Sequence, residues 1–189
     1  MAKNVRTNIV LIGFMGAGKT AAAKELARLT QMTWIDTDHL VENSAQMPIS
    51  MIFEKHGEGH LRCLEYELCQ KLANGSFWHT VIATGGGIVL NSKNTDALGR
   101  CAVVFYLKAS ADKLAANLAG NTSNPRPLLA QVPKDERPQA IASLLAVREP
   151  LYIRAADHVI DTENLSPTGI AVAILKYFPQ ANLPRHLRC

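Results

Sequence analysis

The sequence predicts an α/β fold, a three-layer αβα sandwich around a five-stranded parallel sheet, and three observations point to it. Short β-branched runs alternate with longer segments of helical periodicity. A glycine-rich turn joins the first such run to the first helical segment, and hydrophobic and charged fractions of 48% and 19% suit one buried core. With no Ser/Gly-rich linker in 189 residues, the chain reads as one domain over 1–178 and a tail over 179–189.

Taken in order, the strands are placed at Asn8 to Ile12, Thr33 to Asp36, Thr80 to Thr84, Ala102 to Leu107 and His158 to Ile160. Helices are placed at Lys19 to Leu29, Glu58 to Leu72, Ser110 to Leu118, Asp135 to Ala156 and Pro167 to Tyr177, each with apolar residues three and four apart. Gly120 to Pro133 holds several prolines, cannot be one helix, and reads as an active-site cover. The tail from Pro179 to Cys189 has no periodicity and reads as a loosely held end.

Several function classes drop out. The net charge of +4 comes from lysines and arginines scattered through the chain, which fits a small polyanionic ligand and forms no nucleic-acid footprint. The apolar run from Asn8 to Ala17 is too short to span a bilayer, and Met1 to Thr7 leads into no signal-peptide pattern. Cys63, Cys69, Cys101 and Cys189 form no CxxC pair and flank no His at ligand spacing, so reduced thiols in a reducing, cytoplasmic compartment are expected.

The strongest motif follows the first strand. Gly13, Gly16, Gly18, Lys19 and Thr20 match G-x-x-x-x-G-K-[ST], a loop whose backbone N–H groups wrap a polyanion closely. Lys19 supplies a point charge for terminal phosphates, and the Thr20 hydroxyl can ligate Mg²⁺ at the positive end of the following helix. The nucleotide-binding set is Gly13, Gly16, Ala17, Gly18, Lys19, Thr20 and Ala21, with Arg126 farther along the chain. The loop alone does not name the acceptor.

Later segments bear on that. Asp36-Thr-Asp38 follows the second strand, where two carboxylates can divide between a Mg²⁺ shell and a substrate hydroxyl; either could instead cap the helix that begins near His39. Arg62, one turn after Gly57 and Glu58, could grip a carboxylate bidentately or be a salt-bridged surface arginine. Gly85, Gly86 and Gly87 end a buried strand and suggest a ligand surface, since a plain turn needs fewer glycines. Arg126, within the proline-rich excursion, could bring charge to a transferring phosphoryl group, and Arg148 could complete a carboxylate clamp.

Together, Gly13 to Thr20, Asp36-Thr-Asp38, Gly57-Glu58 with Arg62 and Glu65, Gly85-Gly-Gly87, Arg126-Pro-Leu-Leu129 and Arg148 to Tyr152 closely resemble shikimate kinase, from about Asn8 to Ile174. The resemblance implies a P-loop fold like that of the nucleoside monophosphate kinases, a substrate segment near 37–69 and a lid near 117–129. It implies MgATP as donor and the 3-hydroxyl of shikimate as acceptor, on the route to chorismate and the aromatic amino acids. At matching positions, Asp38 would be the base candidate, Arg62 and Arg148 would bind the carboxylate, and the backbone of Gly86 would bind ring hydroxyls. Asp36 and Thr20 would serve Mg²⁺, Lys19 the phosphates, and Arg126 the transferring group.

Two basic positions that flank adenine in the family read Asn117 and Leu165 here, the lid is about two residues longer, and the usual Phe-Arg pair reads Leu61-Arg62. Loss of both cations removes contacts of roughly 0.5–2 kcal/mol each, which would alter nucleotide affinity or base selectivity. The competing expectations are a gluconate or nucleoside monophosphate kinase of the same fold, and a non-catalytic metabolite-binding regulator. A monomer with no nucleic-acid or membrane partner is expected.

Overall fold

The computed structural model describes residues 6–75, 77–120, 129 and 132–184. Among them run β1 (Asn8–Ile12), α1 (Lys19–Thr30), β2 (Thr33–Asp36), α2 (Thr37–Ala45), α3 (Ile49–Ala73) and β3 (Thr80–Ala83). There follow α4 (Ser92–Cys101), β4 (Ala102–Lys108), α5 (Ala111–Ala119), α6 (Arg137–Ala155), β5 (His158–Asp161) and α7 (Pro167–Tyr177), with 3-10 turns at Ile88–Leu90 and Gln180–Asn182. The strands form one parallel sheet in the order β2-β3-β1-β4-β5. None of the helices among the described residues is long and apolar enough to cross a membrane.

The sheet's centre is its driest part. Ile9, Val10, Leu11 and Ile12 of β1 are fully buried because helices cover both faces, so an unbroken apolar run is what a central parallel strand needs. β1 lies between β3 and β4, and therefore delivers its C-terminal end to the middle of one sheet edge. That placement brings the glycine loop after β1 next to the ends of β2 and β3.

Local signals explain where the helices start. Asp36 caps α2 by accepting from the Asp38 N–H at 3.0 Å, Ser110 caps α5, and Ser166 caps α7, where Pro167 follows at a first-turn position that needs no N–H. Glu58 to Leu72 proves to be the second half of a longer α3, interrupted at Gly57, whose φ of 79° and ψ of 171° break the helical path. α4 lies outside the expected helices.

The tail differs from expectation as far as it is described. Leu183 is buried and the Asn182 amide donates to the Arg6 carbonyl at 3.0 Å, so the chain to Pro184 packs against the start of the domain. One apolar side chain seated in the core outweighs the lack of periodicity.

Candidate active site

The phosphate loop is assembled as its motif requires. Gly16 and Gly18 have φ of 84° and 83°, and a Cβ on Gly13 would meet the Leu107 carbonyl oxygen at 2.8 Å, so β4 leaves that position no room for a side chain. Lys19 is buried, its ammonium donating to the Gly13 and Phe14 carbonyls at 2.8 and 2.9 Å. This holds the charge inside the loop. Ala17 is buried and Ala21 exposed on α1.

The two aspartates take different environments. Asp36 accepts from the Thr20 hydroxyl through Oδ2 at 2.8 Å and from the Asp38 N–H through Oδ1. One carboxylate thus caps α2 and reaches Thr20 of the phosphate loop. Thr20 and Asp36 present hard oxygens side by side, a donor pair that fits Mg²⁺. Asp38 is half-buried as Asp36 is, but desolvation pushes its pKa up to about 6, with repulsion from Asp36 adding and the Lys19 ammonium opposing.

The three glycines after β3 admit this cluster. Gly85 donates its N–H to the Thr37 hydroxyl at 3.0 Å, and a Cβ there would strike Asp38 Oδ1 and stand 3.4 Å from Glu65 Oε1. At Gly86 a Cβ would lie 3.1 Å from the Met15 N–H nitrogen of the phosphate loop. At Gly87 it would strike the Arg62 guanidinium, 2.7 Å from Cζ and 2.8 Å from Nη2. The triplet is a floor onto which the phosphate loop, Asp38 and Arg62 all close.

Arg62 stands over that floor in two ion pairs, Nη2 to Glu58 at 2.5 Å and Nη1 to Glu65 at 2.8 Å, and its Nε reaches Glu58 at 3.2 Å. These bonds use three of its five N–H donors and leave two for a ligand. It is therefore both salt-bridged and turned into the site. Glu65 is only 4% exposed; burial raises its pKa while Arg62 and Arg148 pull it down. Arg148, 5% exposed on α6, lies 5.8 Å from the centre of the Phe14 ring, which ties it to the phosphate loop.

Tyr152, one turn beyond Arg148, has a role that the sequence reading did not assign. Its hydroxyl donates to the Gly86 carbonyl at 2.5 Å, and its ring stacks on Tyr106 at 5.0 Å between centroids. Burial pushes its pKa up to about 12, so it remains a donor. Fixing the Gly86 carbonyl fixes the peptide plane to Gly87 and hence the direction of the Gly87 N–H. Helical spacing was the available signal: Glu65 follows Arg62 by three residues and Tyr152 follows Arg148 by four.

The structure thus brings together Lys19, Thr20, Asp36, Asp38, Arg62, Gly85, Gly86, Gly87 and Arg148. Arg126 lies outside the described residues, as does most of the expected lid. Asn117 is described, and its amide donates to the Gly16 carbonyl at 2.9 Å, while Leu165 is 36% exposed just before the α7 cap.

Comparison with known proteins agrees over most of the length. The model of the shikimate kinase family matches residues 15–179. The shikimate kinase of Thermodesulfovibrio yellowstonii is 41% identical over 171 residues, 90% of this chain and 94% of that protein. That of Coxiella burnetii RSA 493 is 38% identical over 175 residues, 93% of this chain and 94% of that protein. Among solved structures, shikimate kinase from Acinetobacter baumannii in complex with shikimate superposes with a TM-score of 0.82 at 34% identity, covering 93% of this chain and 94% of that one. A deoxyadenosine kinase from M. mycoides, 13% identical with a TM-score of 0.56 over 89% of this chain and 97% of that one, shares the fold alone.

Proposed function

The chain belongs to the shikimate kinase family, and we infer that its site moves the γ-phosphoryl group of ATP onto the 3-hydroxyl of shikimate, giving shikimate 3-phosphate and ADP. One observation carries this reading: a loop built for nucleotide phosphates touches, through Gly86 and Phe14, a glycine floor overlooked by a half-buried carboxylate and two arginines. An acceptor that is both an alcohol and a carboxylate suits those groups together.

The roles follow from placement. Asp38, with a pKa of about 6, is ionised at neutral pH and can accept the hydroxyl proton as the oxygen attacks. Arg62 and Arg148 would hold the shikimate carboxylate, and Gly85, Gly86 and Gly87 would meet the ring through backbone groups. Lys19 and the loop N–H groups hold the β- and γ-phosphates, placing charge where it develops during transfer. Arg126 would reach the transferring group from the lid. Thr20 and Asp36 would hold Mg²⁺, which when bound neutralises charge on the phosphate oxygens.

Buried Glu65 and exposed Glu58 keep Arg62 directed over Gly87 before any substrate arrives, which lowers the ordering cost on binding. We further propose a cytoplasmic monomer without nucleic-acid or membrane partners, on the route to chorismate. The reading is tested by ADP release with shikimate, gluconate and nucleoside monophosphates as acceptors, with product mass measured. Turnover with shikimate well above the others is expected, and comparable turnover with gluconate would refute the assignment.

A further inference from the structure

α3 carries two imidazoles outside the site. His56 and His60 are exposed, lie on either side of the Gly57 break, and have ring centroids 5.0 Å apart at an interplanar angle of 51°. Neither makes a side-chain hydrogen bond or ion pair among the described residues, so their ring nitrogens are available. The plain alternative is a solvated ring contact on a helix surface.

The ring spacing also fits a shared ion. A first-row divalent ion about 2.0–2.1 Å from each ligating nitrogen, and so roughly 3.2 Å from each ring centre, brings the centres to roughly 4.5–5.2 Å for ligand angles between square and tetrahedral. The observed 5.0 Å falls in that interval, and the two rings are exposed and four positions apart on one helix. We propose that His56 and His60 form a two-imidazole chelate for a late first-row divalent cation such as Ni²⁺ or Zn²⁺, closing across the Gly57 kink.

Imidazole nitrogen excludes Mg²⁺ from this site and separates it from the oxygen pair at Thr20 and Asp36. No third Cys, His, Asp or Glu stands with the pair among the described residues, so water completes the coordination sphere. Cys63 is an exposed free thiol one turn beyond His60, but is not among the donors. The ion ties the residue before the kink to the helix that carries Glu58 and Arg62. It therefore braces the substrate side of the cleft from outside.

The test titrates Ni²⁺, and separately Zn²⁺, into the full chain at pH 8 with saturating ADP and Mg²⁺, so that the phosphate site is already filled. Thermal stability and imidazole NMR spectra are read together. A saturable rise in Tm with one ion per chain is expected, with His56 and His60 signals the first to broaden under Ni²⁺. H56A and H60A should each weaken binding at least tenfold, and C63S should leave it unchanged. Binding as tight in H60A as in the wild type, first broadening at His39, His79 or His158, or a tenfold loss in C63S would each overturn the proposal. The broadening pattern needs no variant, so a poorly folded substitution does not blunt the test.

Discussion

Replacing Asp38 by Asn should make the protein more stable while nearly abolishing turnover. Burial and the Asp36 charge raise the Asp38 pKa from 3.8 to about 6, so the folded state resists the ionised form. At about 1.36 kcal/mol per unit, that difference amounts to about 3 kcal/mol of destabilisation once the group is ionised in both states. Two effects reduce it: the first turn of α2 favours a negative charge by roughly 0.5 kcal/mol, and water entering the cleft screens the rest. A net gain of about 2 kcal/mol remains for Asp38→Asn, or on the order of 4–8 °C in Tm for a chain of this length.

The sign fixes the pH dependence. The folded protein holds the proton more tightly than the unfolded chain, so the penalty is complete above about pH 6 and fades as pH falls toward 3.8. Thermal unfolding of ligand-free wild type and Asp38→Asn should therefore show a wide gap at pH 8 and a narrow one near pH 4. In parallel, wild-type kcat/KM should fall below about pH 6 as the base is protonated. A variant less stable than wild type at pH 8, or a gap equal at both pH values, would refute the assigned environment of this carboxylate.

Gly87→Ala places a methyl group 2.7 Å from Arg62 Cζ, so the guanidinium must move; KM for shikimate should rise about tenfold or more, with KM for ATP within about twofold, and equal effects on both would count against the division of the cleft. Tyr152→Phe leaves the Gly86 carbonyl without its buried donor, a loss of about 1–3 kcal/mol. It should appear chiefly in shikimate KM in steady-state kinetics, and an unchanged KM would remove Tyr152 from the site. Lys19→Met should lower kcat by about 10³-fold with the far-ultraviolet spectrum unchanged, and retention of a tenth of wild-type turnover would contradict its place on the phosphates.

The five strands and the phosphate loop were legible because their signals are local. A buried parallel strand is a short apolar run, and a phosphate loop is a fixed spacing of glycines before Lys-Thr. α4 was not read because Ser92–Cys101 buries only Asn94, Ala97 and Leu98, too narrow a stripe, and only its Asn91 cap announced it. The opening turns of α3 were masked by Gly57, which resembles a helix boundary although the chain resumes its helical path beyond it.

The site was legible by residue but not by contact. Arg62 and Arg148 were placed in the cleft, and helical spacing offers Glu58 and Glu65 as partners of the first, yet no local pattern shows that Phe14 backs the second. The bond from Tyr152 to Gly86 spans 66 positions of chain and depends on α6 packing against the turn at Ile88–Leu90 that follows β3. Asp36 shows the converse, since its cap and its bond to Thr20 use different oxygens of one carboxylate.

The position of the new phosphoester is the most direct measure of the account. Incubating the protein with ATP, Mg²⁺ and shikimate and recording a phosphorus–proton correlation spectrum of the product should show one phosphorus coupled to the proton at carbon 3. A phosphorus coupled to another ring carbon's proton, or inorganic phosphate formed without any ester, would contradict the placement of Asp38, Arg62 and Arg148 around a single bound acid.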